Sequence, residues 1–270
     1  MNVTLLEIAK LARTSKSTVS RVLRGELHVD SKTRKRVRNA IKRTGYKPNL
    51  FARGLRGYRT GIIAALGQWM EGEFMMETLR GIHDEAARHH LHVLTRFTPK
   101  PADFVQAWRQ FAQGGVVDGA VLIAPPREIF QHAVETGDVP MVLCASRSPE
   151  NATGWTRVDS VVMDNAVAMA DLLSHLVSQG CRRLVHLEGA ADNYDTSERS
   201  RFFNEFTARN NQVNGEVIPA VERREQVGLK LKAYLEKTPE LPDAFVSFND
   251  DIAMGVVDEL REQAISIPSA

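Results

Sequence analysis

Lys16, Ser17 and Arg21 stand together in the stretch TSKSTVSRVL, Thr14 to Leu23. Their types suit hydrogen bonding to base edges: an arginine donates bidentately to guanine and a lysine donates to the same acceptors. Thr4, Ser15, Thr18 and Ser20 carry short hydroxyls suited to phosphate oxygens, contacts that fix register without reading sequence. Val19, Val22 and Leu23 interrupt them at helical spacing, so the polar residues fall on the outward side of a short helix.

Three helices must position this face. Thr4 followed by Glu7 is a capping-box pattern, and Leu5, Ile8, Ala9 and Ala12 share one side of the helix it opens. Ser15 caps a second helix, which Gly25 stops. A third opens near Ser31, runs through KTRKRVRNAIKRT with Val37, Ala40 and Ile41 inward, and ends at Gly45 with Pro48 beyond. Helix, brief turn, helix and supporting helix form a helix-turn-helix, whose second helix enters the DNA major groove N-terminus first.

Charge agrees. Residues 1–60 hold 16 Lys+Arg against Glu7, Glu26 and Asp30, within a 270-residue chain whose total is only +2. A basic head with a polyanionic partner, joined to an acidic body, is the organisation this implies. The composition, 43% hydrophobic and 25% charged, is that of a globular chain of about two domains. No signal-peptide pattern and no run of about 18 apolar residues is present, so a soluble, cytoplasmic protein without a membrane span is expected. Cys144 and Cys181 match no metal or redox spacing and read as reduced core thiols.

From Gly61 onward apolar runs alternate with amphipathic ones. GIIAAL, HVLTRF, DGAVLI, MVLC, RLVHLE and DAFVSF read as strands. Helices are expected around 74–90, 102–113, 127–137, 165–179, 197–210, 223–237 and 251–263. This is repeated βα with a parallel sheet, in two halves that break near 146–164 and leave a ligand cleft at the strands' carboxyl ends. No G-x-G-x-x-G, P-loop, H-E-x-x-H or G-x-S-x-G pattern occurs, so no cofactor, metal or catalytic residue is expected and the chain does not read as an enzyme. His89, His90 and His92 read as the surface around a helix end.

TLLEIAKLARTSKSTVSRVLRG, VDSKTRKRVRNAIKRTGYKPN and FARGLRGYRTGII resemble, in order and separation, the head and hinge of the lac repressor family of bacterial transcription regulators. VDGAVLI, VDSVVMDN and FVSFNDDIAMGVVDEL resemble that family's regulatory domain, itself similar to periplasmic sugar-binding proteins. The resemblance implies an all-α helix-turn-helix head, 1–47, a hinge helix or linker, 48–60, and an α/β periplasmic-binding-protein-like body, 61–270. The body would comprise two doubly wound parallel-sheet subdomains, about 61–155 and 156–270. It implies a sequence-specific regulator, a repressor by expectation, acting as a homodimer on a near-palindromic DNA operator under a small sugar-like effector.

Site residues carry over position by position. Lys16, Ser17 and Arg21 match base-reading positions. Thr4, Ser15, Thr18, Thr33 and Asn49 match backbone positions, and Arg24 and His28 sit near DNA. Leu55 matches a leucine wedged into the minor groove, with Arg53 and Arg56 beside it; such wedges unstack and kink the duplex. Gly54 and Gly57 each weaken the hinge helix by about 1 kcal/mol relative to alanine, so it is expected to form on DNA only. For the effector, Arg201 in SERSRFF best matches the pocket arginine, with Arg199 the alternative if the alignment shifts by two. Asp250 matches an acidic ligand with Asn249 beside it, and Trp69 or Phe74 is expected to stack on a ring, with simple packing the alternative for Trp69. The sequence departs from the family pattern at EGEFMM and at Asn204. The family also continues past SIP through further strands, whose absence after Ala270 would leave sheet edges exposed.

Overall fold

Thr4 starts the first helix as the sequence implies: its hydroxyl accepts from the Glu7 backbone N–H, and the Glu7 carboxylate accepts from the Thr4 N–H at 2.7 Å. In the computed structural model, residues 3–23, 25–46, 59–68, 72–132, 139–149, 158–221, 223–238 and 240–268 are described. They divide into two compact units, Met1–Arg56 and Gly57–Ala270.

The first unit contains α1 (Leu5–Leu11), α2 (Lys16–Leu23) and α3 (Ser31–Thr44). Ile8, Ala9, Ala12, Val19, Val22, Val29, Val37 and Ala40 make one buried cluster from all three. Asp30 caps α3 by accepting from the Thr33 N–H, and Gly45 ends it at φ 64°, a left-handed conformation glycine adopts freely. Arg34 on α3 donates to the Glu26 carbonyl at 2.6 Å, tying down the turn that follows α2.

The second unit begins with a five-stranded parallel sheet in the order β2-β1-β3-β4-β5. Its strands are β1 (Ile62–Gly67), β2 (His92–Phe97), β3 (Gly119–Ile123), β4 (Met141–Cys144) and β5 (Asp159–Val161). Helices α4 (Glu73–Arg88), α5 (Pro101–Gln113) and the short α6 (Ile129–His132) accompany them. The core on the α5 side gathers Phe104, Trp108, Leu66, Leu122 and Leu143; that on the α4 side gathers Ala65, Met75, Leu79 and Ile123. A second parallel sheet, β7-β6-β8, is built from β6 (Arg183–Leu187), β7 (Asn214–Ile218) and β8 (Ala244–Ser247). Leu173, Leu184, Phe203 and Val246 pack one face under α7 (Asn165–Ser178) and α8 (Tyr194–Arg209). Val185, Leu187, Val227, Leu231, Ile252 and Val256 pack the other under α9 (Arg224–Leu235) and α10 (Asp250–Glu262).

Both halves share one device. Asp118, just before β3, accepts from the Thr60 and Gly61 backbone N–H groups at 2.7 Å each. Asp243, just before β8, accepts from Arg182 N–H at 2.7 Å and Arg183 N–H at 2.8 Å. In each sheet an aspartate at the start of one strand thus pins the entry of the strand beside it, β1 in the first sheet and β6 in the second, and the two backbone donors hold the Asp243 carboxyl below the usual carboxylate range. Thr60 is buried against Asp118, so the expected linker ends before it, inside 48–60.

Four expectations change. β5 pairs in parallel with β4, Val142 opposite Asp159, which keeps residues 159–161 in the first sheet and moves the sheet boundary past the expected 156. Its three residues carry too little pattern to read as a strand. β7, NGEVI, lacks an apolar alternation at its start and had no expected strand. The helix expected at 127–137 is observed at Ile129–His132, with 133–138 outside the described residues. Cys144 and Cys181 are free but only half-buried rather than core.

Candidate DNA-reading face and effector cleft

Ser15 organises the start of α2. Its hydroxyl accepts from the Thr18 N–H at 3.1 Å and lies 2.7 Å from Ser17 Oγ and 2.9 Å from Thr18 Oγ1. With Val19 and Val22 buried beneath, helical geometry turns Lys16, Ser17, Ser20 and Arg21 onto one arc. Lys16, Ser17 and Arg21 are exposed and Ser20 is half-buried. The backbone N–H groups of the first turn add donors at the same end. Arg21 Nε lies 3.8 Å from Glu26 Oε2, a loose surface pair. Thr4 and His28 are exposed and Thr33 is half-buried at the start of α3, where its hydroxyl accepts from Arg36 at 2.9 Å. Arg24, Asn49, Arg53 and Leu55 lie outside the described residues.

The cleft side of the second unit is built around α8. Asn193 caps it by accepting from Thr196 N–H at 3.1 Å. Thr196, Ser200 and Phe203 then form its buried stripe. Arg199 flanks that stripe. Its Nε donates to Asn165 Oδ1 at 3.0 Å, its Nη1 donates to the Phe248 carbonyl, and its guanidinium lies 4.9 Å from the Phe248 ring centre. Asn165 Nδ2 in turn donates to Asp195 Oδ1 at 2.7 Å. One buried amide therefore bridges an arginine and an aspartate placed four residues apart on α8. Burial pushes the Arg199 guanidinium below its ordinary value, opposed by the Asp195 and Asp250 carboxylates. Burial likewise raises the Asp195 carboxyl, opposed by the Asn165 hydrogen bond and Arg199.

Arg201, two positions on, points elsewhere. A helix turns about 200° in two residues, and Arg201 pairs at the surface with Glu198 Oε2 at 3.0 Å and Glu205 Oε1 at 2.9 Å while stacking on the Phe202 ring. Arg199 is thus the buried arginine of the two and Arg201 the surface one. Asn249 caps α10, its Oδ1 accepting from Ile252 N–H at 2.9 Å. Asp250 is exposed in the first turn of α10. Phe74 is exposed in the first turn of α4; Trp69 lies outside the described residues.

Two hydrogen bonds span the halves beside this cluster: Arg127 Nη2 donates to Ser197 Oγ at 2.8 Å, and Gln68 Nε2 donates to Asp192 Oδ2 at 3.4 Å. Both come from segments that follow strands of the first sheet, the position where open α/β sheets take ligands. Gly189, after β6, lets that loop close in: a Cβ there would sit 2.6 Å from the Phe248 ring and 2.7 Å from Thr196 Oγ1. A separate cavity of about 610 Å³ lies along the α7–α8 seam, lined by Phe202, Phe206, Arg209 and Gln212 among others. Among the described residues no three His, Cys, Asp or Glu side chains converge as a metal site, and no helix is long and apolar enough to cross a membrane.

Sequence reasoning missed Asn165 and Asp195. Asn165 stood in VDSVVMDN without a role. Asp195 had a signal: it is four residues before Arg199, on the same helical side.

A basic helix-turn-helix and a two-sheet α/β body define a DNA-binding regulator carrying a sensor domain. The comparisons agree. Residues 4–49 match the model for bacterial regulatory proteins of the lacI family, and residues 173–270 match a periplasmic binding protein-like domain. Catabolite control protein A of Priestia megaterium is 26% identical over 272 residues, covering 100% of this chain and 80% of that protein. The lac repressor dimer bound to operator and the anti-inducer ONPF shares the fold at TM-score 0.77 and 20% identity, covering 99% of this chain and 80% of that one. A CelR–cellobiose complex gives TM-score 0.65 at 21% identity, over 98% of this chain and 80% of that one. Residues 4–49 are thus similar to lacI-family regulatory proteins and 173–270 to periplasmic binding proteins, and the chain is a DNA-binding transcription regulator.

Proposed function

We propose that the protein is a repressor, working as a homodimer on a near-palindromic operator and released or tightened by a small sugar-like effector. The observation that carries this is the Lys16, Ser17, Ser20 and Arg21 arc held outward by the buried Val19 and Val22. Lys16, Ser17 and Arg21 read base edges, while Thr4, Ser15, Thr18, Ser20, Thr33 and His28 contact the backbone. Arg24, Asn49 and Arg53 add backbone contacts and Leu55 wedges the minor groove, extending the head over 1–47 and the hinge over 48 to about 59. Two heads related by a dyad mirror the symmetry of the operator; the lac repressor relative is a dimer on its operator. Such a protein works where the chromosome is, in the cytoplasm.

The effector occupies the cleft beside Arg199. Arg199 donates, Asp250 accepts from hydroxyls, Asn249 donates, and Phe74 or Trp69 offers a ring face. Arg201, committed to Glu198 and Glu205 at the surface, has no part. The CelR relative holds cellobiose, which supports the sugar class. Deleting residues 1–58 tests the division of labour. Operator binding should vanish while sugar binding to the remainder persists; retained operator binding contradicts the assignment.

A further inference from the structure

We propose that Asp195, acting through the Asn165 amide on Arg199, makes the cleft selective for uncharged polyhydroxyl effectors and closes it to phosphorylated or carboxylated ones. This rests on the reading of the cleft as the effector site and names the class it takes. An arginine in a pocket ordinarily invites an anion, because its planar fork matches phosphate and carboxylate. Here the guanidinium is already compensated. The Asp195 carboxylate is 4% exposed and sits one helical turn away, and the Asn165 amide accepts from Arg199 and donates to Asp195, locking the pair in one geometry. Asp250 is a second carboxylate acting on the same guanidinium. The charges at the rim are mixed: Arg127 donates to Ser197, Asp192 accepts from Gln68, and Arg147 and Glu198 act oppositely on Tyr194. Among the described residues the rim carries both signs, so it does not cancel the two carboxylates with a wholly cationic surface.

An incoming anion would gain a cation that is already matched and meet two like charges, Asp195 at low dielectric and Asp250 at the solvent edge. A hydroxyl uses both signs, donating to a carboxylate while accepting from a guanidinium N–H. The pair thus keeps its directional donors and acceptors and loses its net pull on anions.

The test uses the full chain and matched probes: glucose with glucose 6-phosphate, maltose with maltose 6′-phosphate, and cellobiose with cellobionate, each by thermal shift and calorimetry. Binding is expected from the neutral members only, with at least a tenfold preference inside any pair that binds. Asp195→Asn, which keeps an acceptor for Asn165, should shrink that preference at least tenfold by admitting the anionic member. A wild-type preference for an anionic member overturns the proposal and leaves sugar sensing standing. Binding by no sugar of either kind overturns both. An unchanged preference in D195N removes Asp195 as the determinant, and the wild-type comparison stands whether or not D195N folds.

Discussion

Arg199 and Asn165 come from different helices and meet at 3.0 Å, Nε to Oδ1, beside the strand end that carries Phe248. The contact joins α7 to α8 at the carboxyl end of the second sheet, so Arg199 is held by two helices and a strand end at once. Arg199→Ala removes the partner of a buried amide and leaves the Asp195 carboxylate uncompensated. Stability should fall by about 1–3 kcal/mol, and effector-dependent change in operator affinity should disappear. Arg201→Ala breaks only surface pairs and should cost less than about 1 kcal/mol, with the effector response intact. Denaturant melts and operator titrations with and without effector check both; loss of response in R201A alone would reverse the assignment.

The same two arginines show what a sequence conveys. Helix existence, caps and the buried stripes of the head depend on neighbours within four residues, so Thr4–Glu7, Ser15 and Gly45 were legible. Which of Arg199 and Arg201 faces the cleft depends on the rotation of α8 against β6, a tertiary fact. The stripe Thr196, Ser200, Phe203 carries that rotation, but Thr and Ser do not read as core by type. Asp118 and Asp243, in VDGAVLI and PDAFVSF, were visible as residues, while their shared role needed the distant backbone donors they meet. β5 and β7 escaped because short or polar strands hold too few alternations to count.

On α2, Lys16 and Arg21 should govern base preference. Replacing either by alanine should cost about 1–3 kcal/mol on the preferred operator and relax discrimination at one or two base positions. Thr18→Ala should instead weaken all duplexes alike. Fluorescence anisotropy on single-base operator variants separates the two patterns, and unchanged discrimination in K16A and R21A together would exclude these residues from base reading.

Asp118→Ala deletes the acceptor of three hydrogen bonds, from the Thr60 N–H, the Thr60 hydroxyl and the Gly61 N–H. A loss of about 2 kcal/mol is expected, seen as a lower denaturation midpoint of the body with the helical signal of the head retained. A loss within about 0.5 kcal/mol would mean water replaces the carboxylate fully.

His186 sets an acid limit. It is fully buried on β6, its Nδ1 lies 2.8 Å from the Val246 carbonyl and so carries the proton, and its Nε2 has no hydrogen-bond partner among the described residues. Burial lowers its pKa, helped by Arg199 and opposed by the Val246 hydrogen bond and Glu188. The unfolded chain therefore binds a proton from this group first as pH falls through about 6.5, and stability falls with it by up to about 1.4 kcal/mol per pH unit. Asp195, raised by burial, acts in the opposite direction above about pH 4. Comparing His186→Leu with wild type at the same pH values cancels that contribution. The stability difference between pH 7.5 and 5.5 should be smaller in H186L; an equal difference would place the acid sensitivity elsewhere.

Selection of sites from a randomised duplex library by the full chain, at about 150 mM salt, decides whether α2 reads DNA. The enriched duplexes should share a near-palindromic consensus, with affinity dropping steeply on added salt as Lys and Arg contacts release counterions. Recovery of duplexes with no shared sequence, bound no better than the starting library, would contradict it.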